Sequence, residues 1–263
     1  MRCFHAFEDL HVPATSEHRL YPEHTLSLSF LEGTSWFADP TGTACSLAPV
    51  PAVFVDNPTT QPVRLVSLGR TRMVGINFYV WGAIRLFGCM PTNDELSSIV
   101  PARLATTIAR HLSRGELGAA IDVLEQFIAT RARAVDLAPS AAIDVATSLC
   151  DSSGHGSILG LAEMTGVSIR QLERQFRQQV GMSPKALARV IRFESARRRI
   201  EDAPETSLTE IAYALGYADQ AHFSREFRDL AWITPRAFRD EIRRQRSLRG
   251  DVAFVQEQKS VAS

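Results

Sequence analysis

The sequence predicts an α+β protein of two domains, a β-rich N-terminal half followed by helices and an all-α C-terminal half. Three observations carry this. Thr25-Leu26-Ser27-Leu28-Ser29-Phe30 alternates strictly, as a half-buried strand does. Near the C-terminus one motif is written twice, Leu161-Ala162-x3-Gly166 leading to Leu172-x-Arg174-x-Phe176-Arg177, then Ile211-Ala212-x3-Gly216 leading to Phe223-x-Arg225-x-Phe227-Arg228. A length of 263 residues with 45% apolar side chains is enough for two cores.

The N-terminal domain is expected over 1–150. After Thr25–Phe30, further strands are predicted at Ala52–Val55, Val63–Leu68 and Met73–Val80, with turns at Asp39-Pro40-Thr41-Gly42, Asn57-Pro58 and Leu68-Gly69. Many short strands with turn signals point to a small barrel or sandwich. Helices follow at Trp81–Phe87 and Arg103–Leu112. Leu117, Ile121, Leu124 and Ile128 then form an apolar stripe at helical period. That stripe fits either a seam between two copies of the chain or a face seated on its own barrel. Trp36, Phe78, Trp81 and Arg85 are candidates to line an effector pocket, although aromatics at this spacing are more often core. Residues 151–156, rich in Gly and Ser, read as a flexible linker.

Each copy of the repeat reads as helix, short turn with Gly, helix, the helix-turn-helix signature that points to DNA. In the first, Gly166 ends a short helix and Ser168 caps the next. Leu172 and Phe176 lie on its buried stripe, and Arg170, Arg174 and Arg177 share another face. In the second, Asp219 is the expected cap, Phe223 and Phe227 fill the core, and Gln220, Ala221, His222 and Arg225 remain for the surface. Small and polar side chains there suit base edges, and Arg suits guanine. Between the units, Lys185 to Asp202 reads as a connecting helix with Arg189, Arg192, Arg197, Arg198 and Arg199. It is a strut for two recognition helices about one DNA turn, about 34 Å, apart. Arg198 is its candidate phosphate contact. The DNA-binding domain is expected over 157–246 and a flexible tail over 247–263.

The net charge of zero conceals a division. Residues 1–150 carry −3, whereas 157–200 carry +6, so the first unit and the connecting helix are expected to supply most of the phosphate attraction. Cys3, Cys45, Cys89 and Cys150 are scattered and have no metal-ligand spacing. The early histidines 5, 11, 18 and 24 include no pair at the spacing of a barrel metal site, so no metal and no cofactor are expected. The apolar stretch Val74–Met90 is interrupted by Asn77 and Arg85, and the N-terminus has no secretory pattern. A cytoplasmic protein without a membrane span is expected.

The C-terminal residues resemble the DNA-binding domain of the AraC/XylS family of bacterial transcription regulators. The resemblance rests on Ser207-Leu208-Thr209-Glu210-Ile211-Ala212-x3-Gly216-Tyr217-x4-His222-Phe223-Ser224-Arg225-x-Phe227-Arg228 and Thr234-Pro235-Arg236-x-Phe238-Arg239, and covers about residues 155–243. It implies a major-groove role for Arg170, Glu173 and Arg174 in the first unit and Ala221, His222 and Arg225 in the second. It also implies a cupin-like sensor barrel over the N-terminal half, where Val74-Gly75-Ile76-Asn77-Phe78 and Gly82-x3-Leu86-Phe87-Gly88 look like the sensor half of some members. The partners implied are operator DNA, a small-molecule effector, RNA polymerase and a second copy of the chain. One position departs from the pattern. The family usually has Gly two residues before the second Ser/Thr-Pro step, and here Trp232 stands there, so the second recognition helix is expected to end differently. The expected function is a sequence-specific transcription regulator and not an enzyme. The alternative is a DNA-repair or cupin-type enzyme fused to such a module, but the clustered cysteines and metal ligands it needs are missing from this sequence.

Overall fold

A computed structural model describes residues 3–9, 15–38, 47–56, 61–88, 90–133 and 139–248. The N-terminal half contains strands β1 (Cys3–Asp9), β2 (Thr15–Leu20), β3 (Thr25–Ala38), β4 (Leu47–Pro49), β5 (Val53–Asp56) and β6 (Val63–Tyr79). All pairings are antiparallel. The two long strands β3 and β6 run side by side, with β1 and β2 in succession on the outer edge of β6 and β5 and β4 on that of β3. The register slips between Glu32 and Thr34, where Gly33 alone stands against three residues of β6. Gly33 has φ +120°, and a Cβ there would lie 2.8 Å from the Arg70 carbonyl oxygen, so only Gly fits this bulge. The bulge divides the sheet into two halves. Among the described residues no pairing joins its outer strands.

Two strand assignments change. Val63–Leu68 and Met73–Val80, expected as separate strands, are one strand that passes through Gly69 at φ +70°. β1 was not foreseen, and β2 and β4, which lie within the stretch expected to be β-rich, were not singled out as strands, because none of the three alternates in hydrophobicity. The predicted turns at 39–42 and 57–58 lie outside the described residues.

Helices α1 (Val80–Phe87), α2 (Leu96–Ile99), α3 (Ala102–Arg114) and α4 (Leu117–Ala132) follow. One face of the sheet, with Phe4, Leu26, Leu28, Phe30, Val55, Val74, Ile76 and Phe78, packs on α3 and α4. Ile121, Leu124 and Ile128 are buried in this same cluster, and Leu117 packs beside it. The stripe is therefore core and not a dimer seam: alternation in β3 and the period of α4 present two apolar faces to each other, and each consumes the other.

The C-terminal half comprises α5 (Ala141–Asp151), α6 (Ile158–Met164), α7 (Ile169–Gln179), α8 (Pro184–Asp202), α9 (Leu208–Ala214), α10 (Gln220–Ala231) and α11 (Pro235–Leu248). α5 was not foreseen. Its Ala142, Val145, Ala146 and Leu149 are buried against Leu172, Phe176, Val180 and Leu187, so it belongs to the core of the first helix-turn-helix unit. No helix among the described residues is long and apolar enough to cross a membrane.

The halves meet around α1 and around the turn between β2 and β3. Trp81 of α1, stacked on Tyr79 at 4.6 Å, joins the cluster beneath α5 and α7. The turn between β2 and β3 docks on α8. There His24 pairs with Glu194, both almost fully buried, and Glu23 accepts from Arg197 at 3.0 Å. Tyr21 lies against Phe193 and edge-on to Phe238.

Candidate nucleic-acid interface

The written repeat is also a repeat of geometry. In the first turn Val167 N–H donates to the Ala162 carbonyl at 3.2 Å, and in the second Tyr217 N–H donates to that of Ala212 at 3.0 Å. Gly166 and Gly216 sit at φ +69° and +68°, the left-handed conformation that lets each short helix stop and reverse. Ser168 accepts from Gln171 N–H to begin α7, and Asp219 accepts from His222 N–H at 2.6 Å to begin α10. Ser183 and Thr234 likewise cap α8 and α11. The expected difference at Trp232 is overturned. Trp232 takes φ +57°, ψ +13°, the conformation Gly would supply, and closes α10 as Gly181 at φ +76° follows α7.

Leu172 and Phe176 of α7 and Phe223 and Phe227 of α10 are buried, which fixes the outward face of each helix. Arg170, Glu173, Arg174 and Arg177 form one exposed stripe along α7. The equivalent positions of α10, 51 residues on, are Ala221, Arg225 and Arg228, all exposed, and the half-buried Ser224. His222 and Gln220 are exposed beside them but engaged. Gln220 accepts from Thr209 Oγ1 at 3.0 Å, and the His222 ring lies 3.6 Å from Glu226 and edge-on to Tyr217. Sequence reasoning passed over Ser224 and Arg228 as site residues, although the repeat offset identifies them.

It also passed over a cleft of about 460 Å³ beside α10, lined by Ser207, Thr209, Gln220, Thr234, Arg236 and Arg239. The cleft sits where α11 begins, so the positive end of that helix and the side chains of Arg236 and Arg239 border the same space.

The connecting helix is less available than its sequence promises. Arg189 pairs with Glu226 and Asp229, Arg192 with Glu226, Arg197 with Glu23 and Glu201, and Arg198 with Glu194 at 2.9 Å. Burial would lower the Arg197 pKa, but the carboxylates of Glu201, Glu23 and Glu194 raise it overall, so the guanidinium remains charged inside the interface. Burial, then the Glu226 charge, pushes the Tyr217 hydroxyl up to about 12. The phosphate attraction expected of α8 is thus largely spent on internal pairs. Arg198 remains half exposed.

The four candidate effector residues are not brought together. Phe78 lies in the core between sheet and helices, and Trp81 lies in the cluster shared with α5 and α7. Trp36 is on β3 ten residues beyond Leu26, the partner of Phe78. Arg85 is on α1. Among the described residues no three His, Cys, Asp or Glu side chains are grouped to hold a metal ion.

Residues 161–241 match the family model described as "Helix-turn-helix domain". Among curated proteins, the chain is 37% identical over 82 residues to the HTH-type transcriptional activator RhaS of Pectobacterium atrosepticum, covering 31% of this chain and 29% of that protein. It is 42% identical over 79 residues to the HTH-type transcriptional regulator GlxA of Rhizobium meliloti, covering 30% and 24%. The chain thus spans less than a third of the length of these relatives. Among solved structures it is similar to a transcriptional regulator with an AraC-type DNA-binding domain from Chromobacterium violaceum, with 32% identity, TM-score 0.35 and coverage of 38% and 91%. It is also similar to ToxT of Vibrio cholerae, with 10% identity, TM-score 0.49 and coverage of 90% and 97%. Together with the duplicated, capped geometry, the match identifies residues 161–241 as a helix-turn-helix domain in which the motif occurs twice.

Proposed function

We propose that this chain is a sequence-specific DNA-binding transcription regulator in which α7 and α10 enter successive segments of the major groove. The observation that carries the reading is the pair of recognition helices, each entered by a turn with a left-handed Gly and a capping side chain and each presenting arginines on its outward face. Arg170, Glu173, Arg174 and Arg177 face one groove segment, and Ala221, Ser224, Arg225 and Arg228 the other. The cleft with Arg236 and Arg239 is placed to take backbone phosphate, a contact that positions the protein without reading sequence. The relatives, named as an activator and a regulator of transcription, support the same reading.

The N-terminal half is proposed as the controlling domain, answering to a small molecule. Support comes from the docking of its Tyr21-Pro22-Glu23-His24 turn on α8, the helix that links the two units. A change in the sheet at this turn reaches the strut between the recognition helices directly. Both recognition stripes are exposed in this arrangement, so control would act on the placement of the helices and not by covering them.

Selection of binding sites from a randomised duplex pool tests the reading. The wild type should return two blocks of preferred bases. Arg174→Ala should relax one block and Arg225→Ala the other, each by roughly 1–3 kcal/mol of discrimination. Relaxation of the same bases by both variants would remove the two-groove arrangement. A wild type that enriches no sequence would remove the function.

A further inference from the structure

Arg192, midway along α8, reaches both helix-turn-helix units at once. Its Nη1 donates to the Gly154 carbonyl at 3.1 Å, in the segment leading into α6. Its Nη2 donates to Glu226 Oε1 at 3.1 Å on α10, and its guanidinium carbon lies 5.6 Å from the centre of the Tyr217 ring in the second turn. Glu226 is 7% exposed and also receives Arg189 Nε at 3.3 Å. The lead-in segment is seated with equal closeness. Gly154 has φ +80°, and a Cβ there would stand 2.5 Å from the Ala188 carbonyl oxygen and 2.8 Å from Arg192 Cγ. The His155 ring lies against Gly216, where a Cβ would come within 2.7 Å. The supposed flexible segment therefore bridges the first unit to the turn of the second.

We infer that the Arg192–Glu226 hub is a positioning device that fixes α10 relative to α7, and so restricts the protein to DNA sites whose two base blocks stand at one separation. The inference rests on the DNA-reading function proposed above. Apolar packing between α8 and α10, through Phe193 and Phe227, is non-directional and tolerates sliding and rotation. Charge-assisted hydrogen bonds at a largely buried position fix both distance and direction. The repeat supplies an internal control. The counterpart of Glu226 in the first unit, 51 residues earlier, is the uncharged Gln175. The carboxylate is thus no requirement of a single unit and belongs to the junction between units. Neither Arg192 nor Glu226 lies on a recognition stripe, so each acts through the helix it holds.

The test uses the full chain and duplexes selected by the wild type from a pool of about 30 random base pairs. Derivatives carry one base pair added or removed between the two selected blocks. Wild-type affinity should fall about tenfold or more on such duplexes, the size of one lost specific contact. Arg192→Met and Glu226→Gln should bind both spacings within about threefold, with unchanged base preference inside each block. A merely structural role would lower melting temperature and weaken all duplexes alike, leaving the spacing preference intact. That result, or a wild type indifferent to spacing, overturns the inference. If Arg192→Met does not fold, Glu226→Gln decides, since it keeps the side-chain shape and removes only the charge. Failure of the wild type to select any sequence would instead strike the function on which the inference rests.

Discussion

Asp56 shows how a single residue can act against its own fold. It stands on the sheet face away from the helices, paired in register with Ser27, whose other neighbour is Asn77. Burial, reinforced by the Glu23 charge, lifts its carboxyl pKa to about 6 from an ordinary 3.8. A folded value above the unfolded one means that the folded protein holds this proton more tightly. The stability this contributes is complete below the ordinary value and is lost as pH rises through about 6. At pH 7.5 the ionised side chain is therefore a liability of up to about 3 kcal/mol. Asp56→Asn should raise the melting temperature at pH 7.5 by several degrees and leave it unchanged at about pH 4. His5 works in the opposite sense. Burial lowers its pKa to about 4, so its contribution is complete above the ordinary 6.5 and is lost as pH falls through about 4. Comparing variant and wild type at each pH cancels the histidine. Equal melting at pH 7.5, or a gain that persists at pH 4, would show that the carboxylate is not strained there.

At the scale of elements, the recognition helices were legible and the surfaces around them were not. Arg170, Arg174 and Arg177 could be placed because α7 is amphipathic, and its period alone separates Leu172 and Phe176 from the arginines. The i,i+4 pairs Arg198–Glu194 and Arg197–Glu201 were within reach of the sequence, but the pairing of Arg189, Arg192 and Arg197 with Glu226, Asp229 and Glu23 was not, because those carboxylates are far away in sequence and meet α8 only through tertiary packing. β6 was divided at Gly69 for a similar reason. Gly signals a turn locally, whereas a neighbouring strand can hold it within a ladder. The α4 stripe was ambiguous in sequence, and the structure places it in the core. Leu124 is fully buried, so Leu124→Ala should destabilise the fold by about 2–5 kcal/mol, measured by denaturant unfolding. A change in oligomeric state with unchanged stability would contradict the core assignment. Trp232 gives a prediction of the other sign. Its left-handed backbone strains any residue with a Cβ, and its side chain is 39% exposed. Trp232→Gly should stabilise the chain by about 1 kcal/mol, and a loss of stability would mean that indole packing outweighs the strain.

For the whole molecule, the question is where the DNA-reading unit begins. Composition pointed to the Gly/Ser segment at 151–156, and packing argues for an earlier start. α5 buries Ala142, Val145, Ala146 and Leu149 against the helices of the first unit, and Ser140 hydrogen-bonds Gln179 at the end of α7. A fragment of residues 155–248 would expose the Leu172, Phe176 and Leu187 side chains that α5 covers. A fragment of residues 139–248 keeps the α5 cover over them and also keeps the Gly154 contact with Arg192. Returning even two large apolar side chains to water costs about 3 kcal/mol or more, a large share of the stability of a small domain. Both fragments lose Trp81 and the Tyr21–His24 turn and leave Glu194 without His24, so those losses are common to the two. The 139–248 fragment should unfold cooperatively and bind the duplex selected by the full chain. The 155–248 fragment should melt at markedly lower temperature, or without a cooperative transition, and bind more weakly. Thermal unfolding followed by circular dichroism and binding to the selected duplex measure both properties. If the two fragments melt together and bind alike, α5 is an accessory of the N-terminal half and the unit begins after residue 151.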